Sequence, residues 1–212
     1  MSHQIIDLSL PIVHGMRGVE INPHTWYDKD GFNTTMLHLY SHAGTHMDAP
    51  LHFLNGARTM DHVDLNKCVG PALVVDVSHK APNSLITVTD LGGAAGRIGP
   101  ESRVLLYTGW DLHVDQPDYR TSFPRISADL ARWFVERGIW LVGMELPSVA
   151  SLQDREELRT VHQILLRVEI VIIECLANLR ALPPEVFFIA TPLKIVGGDG
   201  CPVRAIAIVG IL

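Results

Sequence analysis

Eight short apolar runs, rich in valine and isoleucine and separated by turn-forming residues, recur along the chain. β-branched residues in runs of this length favour strands, because their side chains pack well on a pleated surface. The fold must therefore be organised around a sheet. The runs are IIDLSL (5–10), TTMLHLY (34–40), PALVVDV (71–77), RVLLYTGW (103–110), WLVGMEL (140–146), EIVIIEC (169–175), EVFFIA (185–190) and VRAIAIVG (203–210).

Two segments show helical spacing instead. In SADLARWFVERG, Ser127 can cap the N-terminus of a helix and Gly138 can end it. The second helix is predicted at about Asp154 to Leu166, where apolar residues recur every three to four positions. A shorter helix at 90–97 is possible, but its glycines weaken it.

The order of these elements indicates the fold class. Strands outnumber helices without strict alternation, which favours a mixed α/β domain over a doubly wound parallel sheet. A length of 212 residues with 47% hydrophobic content suits a single domain spanning 1–212. Segments 11–33 and 108–126 are predicted to be long loops, and loops of that length are commonly functional.

Charge and composition exclude several classes of partner. Seventeen basic and 23 acidic residues give a net charge of −6, without a basic block that could bind nucleic acid or an anionic membrane. No run approaches the roughly 18 apolar residues of a membrane span, and the N-terminus lacks the pattern of a signal peptide. A cytoplasmic protein with a small-molecule or protein partner is expected. Three cysteines without C-x-x-C spacing argue against a disulfide framework or a cysteine zinc site.

The most informative segment is HAGTHMDAPLH, which runs from His42 to His52. It contains two imidazoles four residues apart, then the Asp48 carboxylate, then a third imidazole. Gly44 and Pro50 predict an irregular turn rather than a helix, and such a turn can aim the side chains inward. Histidines of the core or surface that fall together by chance are the alternative interpretation, but the joint pattern favours a metal site.

Nitrogen and carboxylate ligands without thiolate suit Zn²⁺, Mn²⁺ or Fe²⁺. Three protein ligands, His42, His46 and Asp48, would leave positions open for a water molecule that the metal activates. Two rival functions use the same ligand types. One is a non-haem iron oxygenase, although such enzymes are usually all-β, and the other is a non-catalytic metal-binding protein.

The HAGTHMDAPLHF segment closely resembles the H-x-G-T-H-x-D-A-P-x-H signature of the cyclase-like metal-dependent hydrolases. Further similarity lies in the segments IIDLSLPI, YTGWD, ERGIWLVGMELPSV, VHQILL with IIEC, and PLKIVGGDGCPVRAIAI. The resemblance implies a swivelling β/β/α-type domain with a barrel-like β core. It also implies that the protein is a homodimer or homotetramer.

The same resemblance implies roles for individual residues. His42, His46 and Asp48 would bind the metal, and His52 would act as general acid and base. One branch of the family holds a second metal through the same aspartate and a later histidine and glutamate, which correspond here to His162 and Glu174. Of these two, the carboxylate within the apolar VIIECL run is suggestive by itself, because burying it is costly unless it is paired or bound to metal.

Other candidates come from the aromatic residues and the glycines. Trp26 and Trp110 are predicted to contact the substrate. The GGDGCP run at 197–202 lacks the Lys-Ser/Thr and the following helix of a phosphate loop, and we interpret it as a tight turn into the last strand. The family's G-[IV]-D-x-x-S-x-D segment reads GMELPSVA here, with Glu145 and Ala150 replacing the two aspartates.

The expected function is metal-dependent hydrolysis of a small amide, formamide or cyclic amide, an activity of the arylformamidase class. One or two zinc or manganese ions per chain would activate the attacking water and polarise the carbonyl. His52 would protonate the departing nitrogen, which suits an imidazole that titrates near neutral pH.

Overall fold

A nine-stranded sheet forms the centre of the computed structural model, which describes residues 3–211. Each of the eight apolar runs contains a strand, as predicted. In chain order, the strands in the described range are β1 Gln4–Asp7, β2 Val19–Thr25, β3 Thr34–Leu39, β4 His46–Asp48, β5 Val69–Asp76, β6 Leu85–Ile86, β7 Arg103–Tyr107, β8 Arg125–Ile126, β9 Leu141–Met144, β10 Val171–Glu174, β11 Glu185–Ile189, β12 Gly200–Pro202 and β13 Ile206–Val209.

The main sheet is mixed, with the order β1-β13-β11-β5-β7-β9-β10-β4-β12. Strands β5, β7, β9 and β10 run parallel to their neighbours in this group, and the remaining pairs are antiparallel. The sheet curls into a half-barrel. This architecture confirms the predicted mixed α/β class with a barrel-like β core.

Both predicted main helices are present, with the expected ends. The helices are α1 Tyr27–Asp30, α2 Leu65–Cys68, α3 Ala128–Arg137 and α4 Arg155–Leu166. Ser127 caps α3 by accepting a hydrogen bond from the Leu130 amide, and Gly138 ends it in the left-handed conformation. The side chain of Asp154 caps α4 in the same way. No helix within residues 3–211 has the length and apolar character needed to cross a membrane.

The possible helix at 90–97 is a 3₁₀ segment, Val88–Arg97, that is interrupted at Gly92. Gly92 has a φ of 51°, which breaks the helix and agrees with the weakening expected from the glycines. Shorter 3₁₀ turns lie at Pro50–His52, Met60–His62, Trp110–His113 and Leu179–Ala181.

The two faces of the sheet bury different apolar clusters. On one face, side chains such as Leu106 and Ile172 pack with Phe134 of α3 and Leu165 of α4. Alternate residues of the same strands, among them Leu105 and Ile173, join a second cluster on the other face. Helix α4 is therefore held against the face to which Ile172 points.

The prediction of an irregular loop at 11–33 is wrong in part. This segment contains β2 and α1, and β2 pairs with β3 as a separate two-stranded hairpin. Every residue of β3 is exposed, so the hairpin projects from the main sheet. The segment 108–126 contains only a 3₁₀ turn and the two-residue strand β8, close to the predicted loop.

Candidate metal centre

Strand β4 carries the centre of the histidine motif. The sequence predicted an irregular turn through this motif, but His46–Asp48 is a strand that pairs with β10 on one side and with β12 on the other. His46 lies opposite Glu174, and Asp48 lies opposite Ile172. Side chains two residues apart on a strand share a face, so His46, Asp48 and Glu174 point to the face covered by α4.

A bend before β4 returns the chain so that His42 also reaches this face. Gly44 adopts a φ of +58°, a conformation that a residue with a side chain rarely takes. Thr45 fixes the end of the bend, because its hydroxyl donates to the carbonyl of Cys175 at 2.5 Å and accepts from the Leu10 amide at 2.8 Å. The predicted turn is thus present at residues 42–45.

His46 and His162 both direct their Nε2 atoms into the site, because a backbone carbonyl holds Nδ1 of each ring. His46 Nδ1 lies 2.9 Å from the Gly44 carbonyl, and His162 Nδ1 lies 2.7 Å from the Leu158 carbonyl one helical turn earlier. A carbonyl can only accept, so each Nδ1 carries a proton and donates it. Each Nε2 is therefore available as a ligand, which is the usual arrangement of metal-binding histidines.

The two Nε2 atoms face the carboxylates without closing on them. Each lies 3.4 Å from an oxygen of Glu174 and 3.6 Å from an oxygen of Asp48. Oδ2 of Asp48 is buried and has no hydrogen-bond partner among the described residues. A buried carboxylate oxygen without a partner is costly. A divalent cation among these atoms would satisfy it, and the donor set fits such an ion.

The charge balance points the same way. Burial disfavours the charged imidazole of His46, but its contacts with Cys175, Glu174 and Asp48 outweigh burial and raise its pKa well above the ordinary value. The pKa of His162 is also raised, because its contact with Glu174 outweighs its burial. Burial would raise the pKa of Glu174, yet His162 and His46 lower it overall. The carboxylates thus favour positive charge at this position.

His42 and His52 form the second half of the site. His42 Nδ1 lies 3.0 Å from Asp48 Oδ1, and its ring stacks on that of His52 with centroids 3.9 Å apart. Burial lowers the pKa of His52. Potential ligand atoms of His42, Asp48 and His52 all lie within 4.8 Å of one another, as do those of Asp48, His162 and Glu174. The structure thus brings together all six histidine and carboxylate side chains singled out in the sequence.

A cavity of about 200 Å³ opens above these groups. Phe53, which stacks on His162 at 4.1 Å, provides an apolar wall together with Leu152 and Leu158. The full lining is Arg17, Tyr40, His42, His46, His52, Phe53, Arg120, Pro147, Ser148, Leu152, Leu158, His162 and Glu174. A small molecule can reach the candidate ligands from this side.

The two tryptophans predicted to contact substrate do not line this cavity. Trp26 lies on the projecting hairpin and is 55% exposed. Trp110 is buried, its indole N–H donates to the Tyr119 carbonyl, and its ring stacks on His113. Within the described chain, Trp110 is a packing residue of the core rather than a pocket wall.

Three further residues at the site, which were not predicted from the sequence, are Arg17, Arg120 and Asp199. The two arginines line the cavity, and Asp199 contacts His42. Glu145, which replaces a family aspartate, is fully buried outside the cavity and accepts hydrogen bonds from the backbone amides of Thr108, Gly109 and Leu179. Burial and the nearby Asp111 raise the pKa of Glu145 to about 7. Its role in the fold is to fix these backbone segments.

The chain is similar in sequence and in fold to known hydrolases. The chain is 37% identical to kynurenine formamidase of Salinibacter ruber over 180 residues, which cover 84% of this chain and 81% of that relative. Its fold is similar to isatin hydrolase A from Ralstonia solanacearum, with a TM-score of 0.84 and 25% identity, covering 98% and 92% of the two chains. It is also similar to a "predicted metal-dependent hydrolase from Bacillus stearothermophilus", with a TM-score of 0.79 and 27% identity, covering 98% and 99%.

The sequence model of the Cyclase family, described as "Putative cyclase", matches residues 6–151. This range includes the strand β4, the bend before it and His52, and it covers more than half of the 212 residues. The chain therefore belongs to the Cyclase family of metal-dependent hydrolases.

Proposed function

We propose that the protein hydrolyses the C–N bond of a small amide, formamide or cyclic amide, with divalent metal held by His42, His46, Asp48, His162 and Glu174. The observation that carries this proposal is the pair of Nε2 atoms aimed at two buried carboxylates, with Asp48 Oδ2 left unpartnered. The similarity to a kynurenine formamidase and to an isatin hydrolase supports cleavage of such a bond. It favours hydrolysis over the oxygenase alternative, as does the mixed α/β fold.

A bound divalent ion supplies two kinds of chemistry in such a site, because it lowers the pKa of water to about 7 and polarises a carbonyl oxygen. The residues of this chain supply the rest. His46 and His162 are oriented by the Gly44 and Leu158 carbonyls. The ring of His52 lines the cavity, and its nearest charged oxygen, on Asp199, is 3.6 Å away. This imidazole can accept a proton from water and donate it to the departing nitrogen.

Several finer expectations remain predictions. Zinc and manganese both suit the donor set. The homodimer or homotetramer implied by the family resemblance and the cytoplasmic location remain to be tested. The number of ions can be tested directly, because two possible ligand groups share Asp48 and only one contains His162 and Glu174.

Replacing Glu174 with glutamine is expected to lower the zinc content from two ions per chain to one. The amide keeps the size of the side chain but removes the charge that faces both Nε2 atoms. Elemental analysis of the dialysed full chain measures the change. Glu156→Gln is the control, because Glu156 is an exposed carboxylate in the first turn of α4 and lies outside both ligand groups. Unchanged stoichiometry in Glu174→Gln would remove Glu174 from the ligands.

The arginines suggest the charge of the substrate. Arg17 and Arg120 line the cavity, and neither forms an ion pair with another residue of the 3–211 range. Arg17 is held over the ring of Tyr40 at 5.0 Å. A substrate with an anionic substituent beside an apolar ring would match these groups and the wall formed by Phe53.

Arg120→Ala is expected to raise KM about tenfold for an amide that carries a carboxylate, the loss of one charge-assisted hydrogen bond. In Arg120→Ala, KM for the uncharged analogue should stay unchanged. Arg132→Ala is the control, because this exposed arginine pairs with Asp129 on α3, and its KM values for both substrates should equal those of the wild type. Steady-state kinetics on the two substrates measures the difference. An equal rise in KM for both substrates would contradict the role of Arg120 in charge recognition.

A further inference from the structure

Asp199 lies in the turn before β12, beside the two stacked imidazoles. Its Oδ2 is 2.9 Å from His42 Nε2 and 3.6 Å from His52 Nδ1. The first distance is a hydrogen bond, and the second is too long for one. One carboxylate thus contacts a candidate metal ligand and lies next to the candidate acid and base.

The turn holds this carboxylate in place through its backbone. The Asp199 carbonyl accepts a hydrogen bond from the Ala49 amide at 2.9 Å, and the Gly198 carbonyl accepts one from the Met60 amide at 2.8 Å. Asp61 accepts a third, from the amide of Gly197 at 3.1 Å. The position of the turn is therefore set by segments on both sides of the 3₁₀ turn that contains His52.

Gly200 permits the close approach of this turn to His42. A Cβ at Gly200 would lie 2.6 Å from Cε1 and 2.8 Å from Nε2 of the ring, which is closer than real Cβ contacts. Only a glycine fits without moving the imidazole. The ring of His42 is thus enclosed between the turn and the ring of His52.

The two nitrogens of His42 face two carboxylates. Nδ1 lies 3.0 Å from Asp48 Oδ1, on the side of the candidate ligand atoms, and Nε2 contacts Asp199. A metal-binding histidine commonly donates its other N–H to a carboxylate, which fixes the orientation of the ring and makes the ligating nitrogen more basic. Asp199 is not among the residues that line the cavity.

We propose that Asp199 is a positioning residue, which fixes the ring of His42 by accepting its Nε2–H and, through ring stacking, the position of His52. The inference rests on the proposed function, because it assigns His42 to the metal. It adds a residue 157 positions away from His42 in sequence to the machinery of the site.

Zinc affinity of the full chain, measured by competition with a chromophoric chelator, tests this role without relying on turnover. Asp199→Ala is expected to bind zinc about 10–100-fold more weakly than the wild type, the usual effect of removing such a partner. Asp199→Asn should bind zinc at least about threefold more tightly than Asp199→Ala, since its amide oxygen can accept the same hydrogen bond. With an amide substrate, kcat should fall in Asp199→Ala while KM stays within about twofold, since Asp199 is not among the residues that line the cavity.

Asp61→Ala is the matched control, because it removes an anchor of the same turn without contact to His42. It should retain wild-type affinity, since the backbone hydrogen bonds to Ala49 and Met60 remain. The proposal is overturned by wild-type affinity in Asp199→Ala, by an equal loss in Asp61→Ala, or by no recovery in Asp199→Asn. Total loss of zinc in Asp199→Asn would instead make Asp199 a ligand and also overturn it. A wild-type protein that binds neither zinc nor manganese would refute the proposed function itself.

Discussion

Asp48→Asn is expected to abolish metal binding and reduce hydrolysis to the background rate. Asp48 is shared by both potential ligand groups, and its oxygens face Nδ1 of His42 and the Nε2 atoms of His46 and His162. An amide of the same size removes the negative charge and replaces one acceptor oxygen with a donor. Both ligand groups would then lose the carboxylate that they have in common.

Thermal unfolding with and without added zinc gives a second measure of this loss. A ligand that binds only the folded state at 100 times its Kd stabilises that state by about 2.7 kcal/mol. The wild type should show this gain in free energy of unfolding, and Asp48→Asn should show none. His62→Ala, which alters an exposed histidine outside the cluster, should behave like the wild type. Wild-type zinc stoichiometry in Asp48→Asn would contradict its place at the centre of the site.

His52→Ala is expected to lower kcat by roughly 10²–10⁴-fold, the usual contribution of a general acid and base, while metal content is retained. The reason is geometric, because His52 lines the cavity and its side chain is 25% exposed, against 7% for His42. His46→Ala provides the contrast. It should lose both metal and activity, since Nε2 of His46 faces both carboxylates.

The comparison of metal contents decides between two roles for His52. Its nitrogen lies within 4.8 Å of potential ligand atoms of His42 and Asp48, so it is close enough to belong to the coordination sphere. Elemental analysis of both variants after dialysis separates these roles. If His52→Ala loses as much metal as His46→Ala, His52 is a ligand, and its assignment to proton transfer is wrong.

Local features of the fold could be predicted from the sequence because they depend on neighbouring residues. The ends of α3 follow from Ser127 and Gly138, and seven of the eight apolar runs contribute a strand to the main sheet. The other two strands of that sheet, β4 and β12, lie outside these runs. The hairpin of β2 and β3 could not be predicted in the same way. Pro23 and the polar residues of β2 resemble a loop, and its pairing with β3 depends on contacts across the turn.

In the candidate site, too, residues that are close in sequence could be predicted, whereas residues that meet only through the fold could not. The spacing of His42, His46 and Asp48 within seven residues is visible directly, whereas Glu174 meets them only through the pairing of β10 with β4. The family resemblance supplied that residue, and the unusual carboxylate in an apolar run agreed with it. Asp199 lies in the PLKIVGGDGCPVRAIAI segment that resembles the family, but the resemblance assigned it no role. An aspartate between glycines is also typical of an ordinary turn.

Side chains of β4 point alternately to the two faces of the sheet, and this limits the sequence changes that the strand can tolerate. Met47, between His46 and Asp48, packs into the apolar cluster on the other face of the sheet, next to Ile173. A one-residue register slip would turn Met47 into the polar cavity and bury both candidate ligands, His46 and Asp48, in the apolar cluster. An ion bound at these residues would therefore stabilise only the strand alignment that places His46 and Asp48 in the cavity. A deletion within β4 should prevent correct assembly, whereas an insertion in the exposed turn at 81–83 should be tolerated.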